Sequence, residues 1–562
     1  MIASIAFEIA ALLLFQTSFG SIEGIVSNAS SGEPLWKALV ELVPADGDAS
    51  TPDVATTSPD GKFAFRNIQP GRYRLSAARA GYVQMDYKRI LTVSPGREVT
   101  DIQFALPQTG TIYGRIIDRS GQPLANATVR AMKTSYSYGQ RSLKTEQTAI
   151  TNDLGEYRLF WLSPGSYFVS VLPYTSGHPF GEMLTSGVNP KSDLGGIGTR
   201  SVAGLQGVEV RGKVSSILNK TVGSPGPNEI YVSTYFPGTM DQERASPVRV
   251  RPADEVGGVD ITVAPIETYH IRGVIMNSIT RKPASGAQLR KARASAVDVC
   301  ASTGMNAEDC SFVIVDYDNG SFDIPQVTPG SYLLYAIQND LVAQAFVEVG
   351  NSDIDNIVLT LQPGITITGK VVPAVAGVEV RLTPGPPIPG RSLAGSSLRD
   401  GMFSVRGVTP GDYRVRISGL KGTYIKSITA GDKDVLNLGF RVTAPSEPPL
   451  EIVLGTSPGT IEGRVADSRG EPAIRVSVVL IPEPVLLHRT DLYRSAQTDA
   501  SGRYQLNDIP PGDYKLFAWE DVEPGAWQDP AFMRGYEDRG KFVRVTEGST
   551  HAVDVILIPS AF

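Results

Sequence analysis

At 562 residues the chain is too long for one hydrophobic core, and a prior of about 100–200 residues per domain divides it into roughly three to five domains. Hydrophobic residues make up 41% and charged residues 20%, enough apolar material to fold, which excludes wholesale disorder. With 52 Lys and Arg against 58 Asp and Glu, the net charge of -6 gives no basic field for nucleic acid or an anionic membrane surface.

Residues 1–20 hold an apolar run from Ile9 to Phe15 that reads as the core of a signal peptide, and hence as export. Glu8 interrupts the apolar stretch upstream, no Lys or Arg precedes it and no A-x-A site follows, so a mis-chosen start codon or a buried first strand is the competing reading. No later stretch reaches the roughly 18 apolar residues of a spanning helix. The mature chain is therefore expected to lack a transmembrane span.

From residue 21 onward one phrase repeats. Asp60-Gly61-Lys62-Phe63-Ala64-Phe65 leads to Pro70-Gly71 and Tyr73. It returns as Asp153 to Tyr157 with Pro164-Gly165 and Tyr167, and as Asp318 to Phe322 with Pro329-Gly330 and Tyr332. Two more copies are Asp400 to Phe403 with Pro410-Gly411 and Tyr413, and Asp499 to Tyr504 with Pro511-Gly512 and Tyr514. Asp followed closely by Gly between alternating runs predicts a tight hairpin turn with a positive φ, and F-x-F or Y-x-L places alternate residues on one buried face. The Pro-Gly pair supplies a fixed φ of about -65° and then a permissive one, as a type II turn requires, after which Tyr restarts the alternation.

A looser phrase precedes each copy. Gly24-Ile25-Val26 runs through Gly32-Glu33-Pro34-Leu35 to Ala38, Gly114 runs through Pro123-Leu124 to Ala127, and Gly463 runs through Pro472-Ala473 to Val476. The copies at Gly273 and Gly369 are shorter or less complete. Closing strands such as Val99–Leu106 and Ala552–Leu557 complete roughly seven strands per module. The expected fold is all-β: about five tandem seven-stranded Ig-like or transthyretin-like sandwiches joined by short linkers. They occupy 21–106, 107–265, 266–362, 363–455 and 456–562. The wide second gap between Pro-Gly pairs places an insertion at about 176–247, with its polar, Gly-rich part from His178 to Val202 expected as a long loop.

The linked phrases, G-x-V then G-x-P-L then A-x-V, followed by D-x-G-x-F/Y and P-G-x-Y, resemble the carboxypeptidase regulatory-like domain. That resemblance implies a transthyretin-like or carbohydrate-binding-like sandwich, related to B-type surface-protein repeats, in tandem arrays common in exported bacterial proteins. It implies no enzyme, because the family's neighbouring zinc peptidase supplies the metal site and its H-x-x-E pair is absent here. His178, His270, His488 and His551 stand apart, and His551 and Asp554, three apart on a strand, point to opposite faces, so no metal site is expected. Of the first strands only the one with Lys370 could serve a Lys to Asn crosslink of the kind seen in B-type repeats, and none is expected.

Other motifs fail on their own chemistry. Gly455-Thr456-Ser457-Pro458-Gly459 spells a serine elbow, but Pro458 has no N–H for an oxyanion, which leaves an interdomain hinge. Asp316, Asp318, Gly320 and Asp323 resemble the start of a calcium loop without its closing glutamate, and read as turn residues. Cys300 and Cys310 flank a polar loop that an exported chain would staple with a disulfide, and reduced structural thiols are the alternative. No catalytic residue and no cofactor is expected.

Sugar binding fits the resemblance best and needs exposed rings to stack on sugar faces. Trp519, Trp527, Phe532 and Tyr536 form the densest aromatic cluster, with Glu520, Asp521, Glu523 and Asp529 beside them, and Tyr136 and Tyr138 form a second. The competing reading places these rings over the rim of a sandwich. The expected function is an exported or cell-envelope, non-enzymatic binding and spacer protein, with carbohydrate the leading ligand class and a cell-surface protein the other partner class. An adhesin or interaction stalk is the alternative, followed by an accessory part of an enzyme system.

Overall fold

The computed structural model describes residues 19–45, 52–87, 90–137, 140–172, 228–284, 286–293, 310–313, 315–316, 318–384, 393–443, 447–486, 489–499 and 501–560. The core of the expected signal peptide, Tyr138, Cys300, His178 and His488 lie outside these residues, as does most of the expected insertion. The chain divides into two compact units, one of residues 1–112 with 159–166 and 249–257, the other of 113–158, 167–248 and 258–562. Both are built almost entirely of strands.

In the first unit Gly20–Asn28 lies between Lys62–Ile68, antiparallel, and Glu98–Leu106, parallel. A second sheet has Leu39–Pro44 between Asp53–Thr56 and Gly71–Ala78. Lys62–Ile68 buries Phe63, Phe65 and Ile68, and the core between the sheets adds Ile22, Val26, Val40, Leu42, Leu75, Ile102 and Phe104. The alternation of the repeated phrase is thus a one-sided strand.

The second unit repeats the plan. Module 4 has Ile365–Val372 between Met402–Val408 and Leu450–Gly455, and Glu379–Pro384 between Leu393–Ser396 and Gly411–Ser418. Module 5 has Gly459–Ala466 beside Arg503–Ile509, and Ser477–Pro482 between Arg494–Gln497 and Gly512–Trp519. Modules 3, 4 and 5 each enclose a core of their own. In module 3 the two sheets join, because Leu341–Val349 pairs with Gly330–Gln338 along its length and then with Ile354–Pro363 at Leu341 and Val342. The end of the expected insertion is part of module 2: Thr234–Tyr235 pairs with Ser170 and Val171, on the strand that also pairs with Thr128–Ser137. Only 173–227 lies outside the described residues there.

The repeat letters acquire specific jobs. Gly61, Gly155, Gly320, Gly401 and Gly502 all sit at positive φ in the predicted hairpin turns. A Cβ on Gly273 of the first strand would lie 2.1 Å from the Ile357 carbonyl oxygen and 2.7 Å from the Phe322 ring, so the close approach of three strands requires glycine there. The Tyr of P-G-x-Y ties its own turn, its hydroxyl donating to the carbonyl four residues upstream: Tyr73 to Gln69 at 2.9 Å, and Tyr332 to Thr328, Tyr413 to Thr409 and Tyr514 to Pro510 each at 2.8 Å.

The permissive φ expected after the proline occurs in three of the five copies, Gly165, Gly330 and Gly411, at +147° to +156°, whereas Gly71 and Gly512 lack it. In all five a further positive-φ residue lies three positions before the proline. These residues are Asn67, Trp161, Gln326, Gly407 and Asp508, with φ between +56° and +73°. A register shift in the pairing with the first strand accompanies it, as between Gly20 and Ile22, so the extra residue is accommodated by a bulge rather than by the turn glycine.

A second repeated device has a sequence signal too, a Thr or Ser four residues before the turn glycine. The buried Thr498 hydroxyl donates to the Ala473 carbonyl at 2.8 Å and accepts the Val476 N–H at 3.0 Å. Thr57, Thr151 and Ser397 make the same pair of bonds. Each satisfies two backbone groups that the sandwich would otherwise bury unpaired.

Candidate functional site

Gly512–Trp519 uses both of its faces. Tyr514, Leu516 and Ala518 point into the module 5 core, so the period of two sends Phe517 and Trp519 to the outer face, beside Val479 and Ile481 of the neighbouring strand. Residues 520–540 fold back over that face through the short turns Ala526–Gln528, Pro530–Met533 and Glu537–Arg539, the second capped by Asp529. Phe517 and Trp519 stack at 5.1 Å and 10°, with Tyr536 edge-on to Trp519 at 5.6 Å and Phe532 at 6.1 Å. Trp519 is 1% exposed. It therefore offers no face to a ligand, which corrects its place among the expected sugar-stacking rings; the loop that carries the other three rings covers it. Trp527, Phe532 and Tyr536 are half-buried and pack onto this second cluster.

Two polar atoms in the cluster, the Trp519 indole N–H and the Tyr493 hydroxyl, are buried without a hydrogen-bond partner among the described residues. Burial pushes the Tyr493 hydroxyl up to about 12. Each such atom costs about 1–3 kcal/mol unless an acceptor reaches it.

Tyr136, expected to belong to a separate patch, is brought to this loop. A Cβ on Gly525, at φ +87°, would lie 3.1 Å from the Tyr136 Cβ. The half-buried Tyr136 phenol has its pKa raised by burial, by the neighbouring Asp529 carboxylate and its hydrogen bond, and by Glu523. The two expected aromatic patches are one neighbourhood at Tyr136. Cys310 opens the strand Cys310–Val313, and a bond to Cys300 lies outside the described residues.

The histidines of the described residues are engaged. His551 Nε2 is 3.0 Å from the Ser549 hydroxyl, and His270 Nδ1 is 2.7 Å from Asp323. His270 belongs to a charge network that the sequence reading missed: Arg272 reaches Asp323 at 3.4 Å, Asp353 at 2.9 Å and Asp355 at 3.0 Å, and Asp353 also accepts the His270 backbone N–H. The signal available was a buried-strand period that alternates His270 and Arg272 on one exposed face. Asp316 is spent on its own turn, accepting the backbone N–H of Asp318 and Asn319. No cluster of three metal-ligating side chains occurs among the described residues.

Gly455 of the elbow-like phrase packs under an aromatic ring: its Cβ would lie 2.1–2.5 Å from Tyr424, whose hydroxyl donates to Glu547 of module 5 at 3.0 Å. Beside it a cleft of about 510 Å³ is lined by charged groups of modules 4 and 5. Three of those charges are matched by nearby partners. Asp513 is held bidentate by Arg544 and kept below the usual carboxylate range, Glu483 meets Lys515 at 3.2 Å, and the buried Arg489 clasps Asp491 while reaching Asn437 of module 4 at 3.3 Å. The arrangement fastens two modules together.

Exposed rings occur elsewhere. In module 2 Phe160 and Trp161 are 45% and 62% exposed and meet edge to face at 5.0 Å and 82°. In module 1 Trp36 is half exposed with the Lys37 ammonium 4.5 Å over its ring.

Residues 21–107, 111–177 and 460–557 match the family described as the carboxypeptidase regulatory-like domain. These three segments are carboxypeptidase regulatory-like domains. Modules 3 and 4 carry the same turn-and-strand phrase outside the matched segments. No curated protein matches the chain. Among solved structures the chain is similar to the TIE protein of Bacillus anthracis at 12% identity, covering 61% of this chain but only 51% of that one, with a TM-score of 0.17. It is similar to a streptococcal ancillary pilin at 13% identity, covering 52% of this chain and 99% of that one, with a TM-score of 0.20. A putative carbohydrate binding protein from Bacteroides uniformis shares 10% identity over 28% of this chain and 91% of its own, with a TM-score of 0.14. Likenesses at these scores carry no argument about what the carboxypeptidase regulatory-like domains of this chain do. No helix of the described residues is long and apolar enough to cross a membrane.

Proposed function

We propose that the chain is an exported or cell-envelope binding and spacer protein without catalytic activity, and that carbohydrate is its ligand class. The observation that carries this reading is the loop over module 5, where the half-buried rings Trp527, Phe532 and Tyr536 lie beside the carboxylates Glu520, Asp521, Glu523 and Asp529. A hydroxyl-rich ligand offers what such a place can use, flat apolar faces for the rings and hydroxyl donors for the carboxylates. The inward faces of the sandwiches are filled by their own cores, so contact with a partner falls to outer faces and loops. The test is binding of the full chain to an array of defined glycans, with Trp527→Ala and Phe532→Ala as variants. Binding that both variants weaken at least tenfold supports the reading, and an array signal indifferent to both contradicts it for this site.

The interaction or stalk reading is favoured by a different observation, the fastening of module 4 to module 5 through Tyr424–Glu547 and Arg489–Asn437. Crosslinking that captures a defined surface protein, with no glycan bound, would select it.

A further inference from the structure

We propose a second glycan-stacking site on Phe160 and Trp161 of module 2, an inference that rests on the binding reading but on different residues. The five copies of the repeat differ at the two positions before the buried Ile, Leu or Val of the bulge. They are Arg66-Asn67, Pro325-Gln326, Arg406-Gly407 and Asn507-Asp508 in four modules, and Phe160-Trp161 in module 2. The second position is left-handed in every module. Asn, Asp and Gly tolerate that conformation because they are short or lack a Cβ, whereas an indole there is a backbone outlier. Module 2 alone places aromatic rings at these positions, and it puts the bulkiest side chain of the five at the left-handed one. Strain of this kind persists where another use compensates for it.

Core packing is not that use, since Trp161 is 62% and Phe160 45% exposed and the buried residues of the strand are Tyr157, Leu159 and Leu162. The two rings meet at 82°, so the indole presents a flat face and the phenyl ring stands as a wall beside it. The size of the pair selects the ligand. An aromatic side chain contributes about 150–250 Å² when wholly buried, so these two half-exposed rings fall well short of the roughly 800 Å² per partner of a stable protein interface. They match the apolar face of one or two pyranose rings, whose hydroxyls stay in water around the rim.

The experiment transplants the pair of module 1 into module 2, Phe160→Arg with Trp161→Asn, in the full chain. Because Asn suits the left-handed position, the graft is expected to fold and to leave the melting temperature unchanged or raise it by about 2–4 °C. Titration of the wild-type chain with soluble β-1,4-linked glucose, xylose and N-acetylglucosamine oligomers, followed by tryptophan fluorescence, is expected to show binding that the graft weakens at least tenfold. Trp527→Ala serves as the second arm. Binding that survives the graft but is lost in Trp527→Ala overturns this site and leaves the module 5 reading standing; loss in the graft alone supports this site. A graft that melts several degrees lower would show that the rings are structural and would overturn the proposal. So would the absence of any oligosaccharide response in the wild type, which would also remove carbohydrate as the ligand class.

Discussion

Modules 5 and 2 both carry tryptophan on the outside of a sandwich, and they dispose of it in opposite ways. In module 5 Trp519 continues a strand whose other face is already core, and a loop of residues 520–540 closes over it until 1% is exposed. In module 2 Trp161 sits on a bulge, beyond the last regular alternation of its strand, and keeps 62% of its surface. Aromatic density in a sequence therefore points to a binding face less well than the place of each ring in the pleat. A ring in register invites a cover, whereas a ring on a bulge is aimed away from one.

The largest expected effect breaks the closed half of this comparison. Trp519→Ala removes a stacked, fully buried ring and should destabilise module 5 by about 3–5 kcal/mol in denaturant unfolding. Trp161→Ala should change stability by less than about 1 kcal/mol. Equal losses would erase the distinction between the two sites. Next is Gly525→Ala, which places a Cβ against Tyr136 at a left-handed position and should cost about 1–2 kcal/mol. A neutral result would mean that Tyr136 does not rest on this loop. Tyr493→Phe removes a buried hydroxyl without a partner among the described residues, and should be neutral or stabilising by up to about 1 kcal/mol. Clear destabilisation would reveal an acceptor at that hydroxyl.

The smallest effect is a pH dependence in module 3. Asp353 is held below the usual carboxylate range first by the His270 backbone N–H and then by Arg272. Its contribution is therefore present above the unfolded aspartate value of about 3.9 and is lost as pH falls through the lower folded value. Exposure keeps the contribution small. Acid titration followed by the Asp353 carboxyl NMR shift should show a midpoint below that of a free aspartate, and Arg272→Gln should raise it.

The fold was legible because its signals are local. The D-x-G turns, the F-x-F strands and the closing strands state period and chain reversal within a few residues, and all five turn glycines carry the positive φ that the phrase predicts. The conformation of Pro-Gly was legible in part: Gly165, Gly330 and Gly411 have the positive φ that the dipeptide suggests, but the residue that all five copies share at +56° to +73° is Asn67 or its counterpart upstream, which the dipeptide does not announce. The buried Thr498 clip and its relatives were visible as a recurring Thr or Ser, but their meaning depends on two backbone groups more than twenty residues away. The aromatic site was half legible. Composition singled out Trp519, Trp527, Phe532 and Tyr536, yet which ring is covered depends on how the 520–540 loop folds. Tyr136 joins that loop through a contact between residues nearly four hundred positions apart, which no local pattern encodes. Phe160 and Trp161 were passed over because they sit inside the repeated phrase, where only a comparison of the five copies exposes them.

The most direct test of the account is solute quenching of single-tryptophan variants, each keeping only Trp519 or only Trp161. Acrylamide should quench Trp161 efficiently and leave Trp519 largely shielded until module 5 unfolds. Equal quenching of both indoles in the folded protein would contradict the account.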